Sequence, residues 1–317
     1  MPRPERQLIE RVRSLAQAGY SGRRTLITGI GDDCAVLRPP AGHELLVTTD
    51  FSLEGVHFRR EWHSPESVGH RCLTRGLSDI AAMGGEPMAV FLSLALPGDL
   101  AQSWVDRFIR GLLGLAARHR VALAGGDTAQ SPAGVLADGV FADIVVLGSV
   151  PRGKALLRSG AKAGDRIYVT GKLGLGGATV RRMYAGEKVR PASARGYFYP
   201  EPRVEVGRKL RGVASAMIDI SDGLSTDLSH ICEESGVGAV VYEASVPVAK
   251  SATLDDALYG GDDYELLFTS SKRVAEEIAG VAVTEIGEIT SRQGMWIQDE
   301  RGKTKKLKAK GWEHFKR

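Results

Sequence analysis

Six short acidic segments, each next to an apolar run, are the feature that most limits what this chain can fold into. The first is Gly31-Asp32-Asp33, where glycine lets the backbone turn tightly and lets a ligand approach closely. Two adjacent carboxylates repel each other unless a cation lies between them. Taken alone, however, this segment is explained as an ordinary turn in which aspartate side chains bond their own backbone.

The other acidic segments repeat the same chemistry, and we expect all six at the ends of helices or strands, where α/β sheets bind ligands. Every one uses Asp and none begins with Glu, which suits Mg²⁺, a hard ion that prefers oxygen ligands. The recurrence therefore favours several divalent cations, or cations with a nucleotide, over turn formation alone. The five further segments are Thr48-Thr49-Asp50, Leu77-Ser78-Asp79, Gly126-Asp127, Asp219-Ile220-Ser221-Asp222 and Gly261-Asp262-Asp263.

The hydrophobic pattern predicts helices alternating with strands, which is typical of an α/β or α+β fold with mixed sheets. A chain of 317 residues with 43% hydrophobic residues can bury enough surface for two such domains. We expect the boundary near residue 150, at Pro151-Arg152-Gly153, so that most acidic segments lie in domain 1–150 and the others in domain 151–317. The pattern predicts helices over 4–18, 65–83, 101–119 and 224–235, and strands over 34–39, 43–50, 88–96, 121–124, 141–150, 216–220 and 264–269.

Composition excludes several other classes of protein. The longest apolar run, residues 88–97, is too short to span a bilayer, and the charged amino terminus lacks the apolar core of a signal peptide, so we expect a cytoplasmic protein with no membrane partner. Zinc is disfavoured because the seven histidines show no ligand pairing and the three cysteines are scattered. Cys34, Cys72 and Cys232 are therefore expected to be buried, reduced thiols.

The positive net charge comes from the end of the chain. Residues 301–317 hold eight Lys or Arg and one acid, which leaves a slight acidic excess in the rest. A basic segment can bind nucleic acid, but lysines also protect exposed strand edges, and the sequence has no nucleic-acid recognition motif. We therefore expect no nucleic-acid partner.

Together, the acidic segments and their neighbours resemble the thiamine-monophosphate kinases, a family in the superfamily of aminoimidazole ribonucleotide synthetase and selenophosphate synthetase. The resemblance spans nearly the whole chain in the family's order, and the segments 54–58 and 311–315 are specific to this family. The matching segments are Gly29-Ile-Gly-Asp-Asp-Cys-Ala-Val-Leu37, Thr48-Thr-Asp50, Glu54-Gly-Val-His-Phe58, Leu77-Ser-Asp-Ile-Ala-Ala-Met-Gly84, Gly125-Gly-Asp-Thr128, Asp219-Ile-Ser-Asp-Gly-Leu224, Gly260-Gly-Asp-Asp-Tyr-Glu265 and Gly311-Trp-Glu-His-Phe315.

The resemblance implies an aminoimidazole ribonucleotide synthetase-like architecture and a homodimer formed through the first domain. It also implies transfer of the γ-phosphoryl group of ATP to thiamine monophosphate. The metal ligands for several Mg²⁺ ions would be Asp33, Thr48, Thr49, Asp50, Asp79, Asp127, Asp219 and Asp222. ATP would contact Gly126, Asp127, Arg158 and Ser221, and thiamine monophosphate would contact His57, Asp262 and Trp312. The chain departs from the family at Asp262, where many members have Glu, and at Ile109, where some have an aromatic residue.

The chemistry of the acceptor predicts that no side chain acts as a nucleophile or general base. A phosphate monoester is already ionised near neutral pH, so the obstacle is repulsion between two polyanions, which Mg²⁺ relieves. Two rival interpretations remain: a superfamily enzyme that activates another acceptor, and a nucleotide or metal sensor or nucleic-acid binder that uses residues 301–317. Trp312 and segment 54–58 favour the kinase over the other enzymes.

Overall fold

The computed structural model describes residues 2, 4–18, 25–131 and 139–315. The chain forms two compact α/β units: residues 1–80 with 86–153, and residues 81–85 with 154–317. The prediction of two α/β domains with mixed sheets is confirmed. No helix within the described ranges is long and apolar enough to cross a membrane.

The helices of the first unit are α1 (Glu5–Ala18), α2 (Pro65–Ala82, whose last two residues belong to the second unit) and α3 (Gln102–Arg118). The strands of this unit are β1 (Leu26–Thr28), β2 (Val36–Leu37), β3 (His43–Leu53), β4 (Glu86–Leu96), β5 (Ala122–Gln130) and β6 (Phe141–Pro151). Four of them form a mixed sheet with the order β3-β6-β4-β5, in which only β4 and β5 are parallel, and β1 pairs with β2 in a separate two-stranded sheet.

One face of this sheet packs against α2 and α3 because alternate residues of its strands are apolar. Ile144 and Val146 of β6, for example, are fully buried in a core that also contains Leu77 of α2 and Phe108 of α3. The opposite face, which we call the outer face, leaves large apolar side chains in solvent. On β3 these are Leu45, Val47 and Phe51, with 51%, 66% and 61% of their surface exposed.

Strand β5 is longer than predicted, and this changes the position of one acidic segment. The sequence pattern ends the strand at residue 124, but pairing with β4 carries it to Gln130 and places Asp127 opposite Ser93. Only glycine fits at position 126, since its φ is 148° and a Cβ there would lie 1.8 Å from the Leu92 carbonyl oxygen. The prediction that the segments all lie at element ends is therefore wrong for Asp127.

The same correction applies to Asp50. It lies within β3, which was predicted to end at residue 50 but continues to Leu53. Strand pairing with β6, which is distant in sequence, extends this strand, and a local pattern does not contain that information.

The strands of the second unit are β7 (Arg166–Thr170), β8 (Ala216–Ile220), β9 (Gly238–Tyr242), β10 (Glu265–Ser270), β11 (Glu277–Ile278), β12 (Val281–Thr290), β13 (Gly294–Gln298) and β14 (Thr304–Lys306). They form one large, mostly antiparallel sheet with the order β14-β13-β9-β12-β7-β10-β8, and β11 joins it by pairing with β12. Within this sheet, β9 and β13 are parallel. The helices are α4 (Leu175–Tyr184), α5 (Arg195–Phe198), α6 (Val204–Leu210), α7 (Leu224–Ser235) and α8 (Leu254–Tyr259), with 3₁₀ turns at Pro191–Ser193 and Glu243–Ser245.

Both faces of the second sheet are covered. Leu228 and Ile231 of α7 pack with Ile218 on one face, while Leu210 of α6 packs with Phe268 on the other. Helix α7 begins directly after the segment Ser221–Gly223, so this packing fixes where that acidic segment lies.

The cysteine prediction is only partly confirmed. Cys72 and Cys232 are buried, and burial raises the pKa of each thiol to about 12. Cys34 is exposed, because it lies in the bend that follows Gly31–Asp33 and precedes β2 instead of inside an apolar strand.

Two glycines of α3 differ in what surrounds them and provide a test of the packing against α2. A Cβ at Gly111 would lie 2.0 Å from the Glu66 carbonyl oxygen, whereas a Cβ at Gly114 would meet nothing within 4 Å. We expect Gly111→Ala to lower the free energy of unfolding by about 1–3 kcal/mol through overpacking. Gly114→Ala should raise it by about 0.5–1 kcal/mol, because alanine favours the helix. Urea unfolding of both variants measures this, and equal effects would contradict the close packing of α2 and α3.

Candidate metal and nucleotide site

The first unit brings Thr48, Asp50 and Asp79 together where β3 passes α2. The Thr48 hydroxyl donates a hydrogen bond to Asp79 Oδ2. Burial, followed by the negative charge of Asp79, raises the pKa of Asp50 to about 7, although the Arg75 guanidinium partly opposes the shift. A partly buried carboxylate pair of this kind is stabilised by a proton or by a cation. The donor atoms are all oxygens, as Mg²⁺ requires.

Thr49 points to the opposite side of β3 and contacts an aspartate that the sequence analysis missed. Its hydroxyl donates to Asp143 Oδ1 at 2.9 Å. In the sheet register Asp143 lies opposite Ser93, which in turn lies opposite Asp127. Two strand spacings place the backbones of Asp143 and Asp127 about 10 Å apart. The available signal for Asp143 was a single acid in an otherwise apolar strand pattern.

A cavity of about 590 Å³ in the first unit brings together Asp33, Gly126 and Asp127. Its walls are mostly apolar and include Ile109 of α3. The other lining residues are Ile9, Val12, Gly29, Ile30, Gly31, Asp32, Cys34, Ala35, Phe91, Leu92, Leu94, Leu123, Ala124, Gly125 and Thr128. A concave apolar wall with a few polar groups at one side is typical of a small-molecule site.

One polar group in that wall is left without a hydrogen-bond partner among the described residues. Thr128 Oγ1 is buried and makes no hydrogen bond to any of the residues described. A buried hydroxyl without a partner costs free energy, so such a group commonly marks a contact with a ligand. By contrast, Asp32 Oδ1 accepts the Asp33 amide N–H at 3.0 Å, which is how an aspartate shapes its own turn.

His57 is held in one orientation by the segment that follows β3. Its Nδ1 accepts the Leu53 amide N–H at 3.0 Å, so the neutral ring carries its proton on Nε2. Glu54 fixes the same segment, because its carboxylate accepts Arg60 Nε at 2.6 Å and the Val140 amide at 2.9 Å.

In the second unit, Asp219, Ser221 and Asp222 lie at the end of β8, and a buried aspartate of α7 fixes their turn. Asp227 accepts the amide N–H groups of Asp222 and Gly223 at 3.2 and 3.0 Å. Burial, and then the negative charges of Asp219 and Asp222, raise its pKa well above the usual range. Asp227 was not among the residues predicted from the sequence, although an acid on the helix face that carries apolar side chains was a detectable signal.

Two predicted substrate contacts lie on this same turn. The Asp262 amide donates to the Ser221 carbonyl oxygen at 2.8 Å, and the Trp312 amide donates to the Asp222 carbonyl oxygen at 2.9 Å. A Cβ at Gly311 would lie 2.1 Å from that carbonyl oxygen, so glycine permits the approach. Trp312 itself keeps 53% of its surface exposed.

Arg158 is the predicted ATP contact that the second unit does not bring to this turn. Its carbonyl oxygen accepts a hydrogen bond from Ser235, the last residue of α7, whereas Ser221 precedes the first. A helix of 12 residues is about 18 Å long, so the two residues lie near opposite ends of α7.

The predicted metal ligands are arranged mainly in pairs. No group of three or more His, Cys, Asp or Glu within the described ranges is suited to hold a metal ion. Mg²⁺ in nucleotide sites commonly takes one or two carboxylates and completes its shell with water and phosphate oxygens. The residues present fit Mg²⁺ that is bound together with a nucleotide better than a preformed protein cage.

Comparison with known proteins identifies the family. Residues 31–150 match the model of the AIR synthase related protein N-terminal domain, and residues 162–299 match that of the C-terminal domain. The thiamine-monophosphate kinase of Escherichia coli K12 is 37% identical, over 93% of this chain and 94% of that protein. The enzyme of the same name from Bacillus subtilis is 32% identical, over 91% and 93%.

Solved structures agree with this assignment. Thiamine-monophosphate kinase from Stenotrophomonas maltophilia is 35% identical with a TM-score of 0.79, over 92% of this chain and 95% of that one. AaThiL complexed with AMPPCP and TMP is 30% identical with a TM-score of 0.77, over 88% and 89%. The chain belongs to the thiamine-monophosphate kinase family of the AIR synthase related proteins.

Proposed function

We propose that this chain transfers the γ-phosphoryl group of ATP to thiamine monophosphate and so completes the synthesis of thiamine diphosphate. The observation that carries this proposal is the match to thiamine-monophosphate kinases over 93% of the chain. Support also comes from a structural relative that holds AMPPCP, an ATP analogue, together with TMP.

In the proposed reaction the acceptor phosphate attacks the γ-phosphorus in line with the leaving ADP oxygen. The chain contributes positioning and charge, and no residue forms a covalent intermediate. Several Mg²⁺ ions, when bound, would neutralise charge on the two phosphate groups. Their ligands would be Asp33, Thr48, Thr49, Asp50, Asp79 and Asp127 in the first unit, and Asp219 and Asp222 in the second.

For ATP, we assign the base to the cavity of the first unit and its phosphates to the acidic side of that cavity. The apolar wall suits a purine ring. Thr128 Oγ1, which makes no hydrogen bond to the residues described, is available to bond the nucleotide. The Gly126 backbone and Asp127 lie in the same wall. Ser221 remains a proposed ATP contact, and so does Arg158, although its position in the second unit does not support it.

For thiamine monophosphate, the proposed contacts are His57, Asp262 and Trp312. The His57 Nε2–H is a donor suited to a phosphate oxygen. The indole of Trp312 is half exposed and can pack on an aromatic ring of the substrate.

We also propose that the chain forms a homodimer through the first unit. The outer face exposes Leu45, Val47 and Phe51 along β3, an edge strand of its sheet. Two copies that pair identical faces bury these side chains. If light scattering at micromolar concentration gives the molar mass of a single chain, the proposed homodimer is wrong.

The activity is tested by measuring ADP release from ATP with and without thiamine monophosphate, in the presence of Mg²⁺. We expect ADP to form only with thiamine monophosphate, in equal amount to thiamine diphosphate, and no labelled protein from [γ-³²P]ATP. ATP binding without turnover would favour a sensor, and salt-dependent DNA binding without turnover would favour a nucleic-acid binder. Turnover with another phosphate acceptor alone would favour a different enzyme of the superfamily.

The nucleotide assignment is tested by Thr128→Val, which removes the hydroxyl and keeps the shape. We expect the KM for ATP to rise about threefold to tenfold, as for loss of one hydrogen bond, with little change in the KM for thiamine monophosphate. The free energy of unfolding should stay the same or rise by up to about 1 kcal/mol, because the hydroxyl has no hydrogen-bond partner in the part of the chain that the structure describes.

Thr74→Val is the matched control for this variant. Thr74 is also buried, but its hydroxyl donates to the His70 carbonyl oxygen at 3.0 Å. This control should lose about 1 kcal/mol of stability and keep its KM for ATP. The same change in KM in both variants would contradict the assignment of Thr128.

A further inference from the structure

The segment Gly260–Glu265 of the second unit has an unusual backbone. Asp262 and Tyr264 have φ angles of 67° and 52°, in the left-handed region that non-glycine residues seldom adopt. Such conformations persist only where the surrounding structure fixes them, and they cluster at functional sites. The contacts that fix this segment therefore indicate which side chain it holds in place.

The backbone of the segment is fixed on the end of β8. The Asp262 amide donates to the Ser221 carbonyl oxygen and the Tyr264 amide donates to the Ile220 carbonyl oxygen, both at 2.8 Å. A Cβ at Gly261 would lie 2.4 Å from the Ser221 oxygen, so the two chains are in close contact. The segment cannot shift without breaking these bonds.

Two acidic side chains of the segment bind the surrounding scaffold. The Asp263 carboxylate accepts the amides of Gly174 and Gly176 at 2.7 and 3.3 Å, at the start of α4. The Glu265 carboxylate accepts Arg203 Nε at 2.7 Å and the Thr170 hydroxyl at 2.6 Å. These bonds hold the segment on both sides of Tyr264.

Tyr264 connects this scaffold to Asp262. Its ring is buried, with 2% of its surface exposed, and its hydroxyl donates to Asp262 Oδ1 at 2.8 Å. Because a hydrogen bond to one carboxylate oxygen fixes the rotation of the whole group, it also fixes the direction of Oδ2. The two residues joined by this hydrogen bond are the same two that have a left-handed backbone.

We propose that Tyr264 is a positioning residue that holds the Asp262 carboxylate in the orientation needed to bind the cationic part of thiamine monophosphate. This inference rests on the proposed function, in which Asp262 contacts that substrate. A carboxylate held in place loses less conformational freedom on binding, so positioning lowers the KM for thiamine monophosphate without acting on ATP.

The test compares Tyr264→Phe with Tyr168→Phe. Tyr168 is a matched control because it is also 2% exposed, and its hydroxyl donates to the carboxylate of Glu285 at 3.3 Å, away from the proposed contacts of the second unit. We expect Tyr264→Phe to raise the KM for thiamine monophosphate about threefold to tenfold, with the KM for ATP and kcat within about twofold of wild type. Tyr168→Phe should change none of the three.

A double variant separates positioning from a general loss of structure. In an Asp262→Ala background, Tyr264→Phe should add less than about a twofold rise in KM, because its partner is gone. The same rise in both backgrounds would overturn the proposal, as would equal KM values in the two tyrosine variants. If Tyr264→Phe does not fold, Asp262→Ala carries the test, and an unchanged KM for thiamine monophosphate then overturns it.

The assay of wild-type protein distinguishes the two levels of the proposal. Wild-type turnover combined with an unchanged KM in Tyr264→Phe rejects the positioning role alone. Absence of wild-type turnover with thiamine monophosphate rejects the proposed function, and the positioning role with it.

Discussion

Negative charge that is held close together inside folded protein is the constraint on which the site depends. Two carboxylates about 4 Å apart repel each other by roughly 4 kcal/mol at an effective dielectric constant near 20. In the first unit the charge of Asp79 acts on Asp50, and in the second the charges of Asp219 and Asp222 act on Asp227. Burial, and then these neighbouring charges, raise the pKa of Asp50 and of Asp227, which favours their protonated forms when no cation is bound.

The surrounding structure supports these carboxylates with donors and with close backbone contacts. Threonine hydroxyls bond Asp79 and Asp143, and two backbone amides bond Asp227. Glycines bring the segments near enough to do this, as Gly126 does against β4 and Gly311 does against the turn at Asp222. Charge placement and close packing are therefore parts of one arrangement in each unit.

Patterns that are local in sequence were sufficient for much of the fold. The predicted helix 65–83 is α2, which ends at Ala82, and the predicted strand 141–150 is β6, which ends at Pro151. Strand β5 was predicted too short because its pairing with β4 is a tertiary contact. Cys34 was predicted to be buried because its neighbours are apolar, yet the acidic turn before it keeps it at the surface.

In the candidate site, too, features that are local in sequence were predicted and features that depend on tertiary contacts were not. Glycine-flanked aspartates were visible in the sequence, and the structure brings Asp33 together with Asp127, and Asp50 with Asp79. Asp143, Asp227 and the Thr128 hydroxyl were missed, because their importance comes from burial and from partners on other elements. Tyr264 belongs to a recognised segment, but its link to Asp262 depends on backbone angles that composition does not encode.

We expect the Asp50 cluster (Thr48, Asp50 and Asp79) to lower the stability of the protein when no cation is bound, and Mg²⁺ to remove this effect. The pKa of Asp50 is higher in the folded than in the unfolded state, so ionisation of Asp50 lowers the free energy of unfolding. This loss begins above the pKa of the unfolded state and is complete above about pH 7. Thermal unfolding at pH 8 of wild type and Asp50→Asn, in EDTA and then with Mg²⁺ and AMPPCP, tests this directly. We expect a higher Tm for Asp50→Asn in EDTA, and a rise in Tm with Mg²⁺ and AMPPCP that is much larger in wild type. A lower Tm for Asp50→Asn in EDTA, with an equal rise in both proteins, would mean that Asp50 neither destabilises the cation-free protein nor takes part in binding the cation.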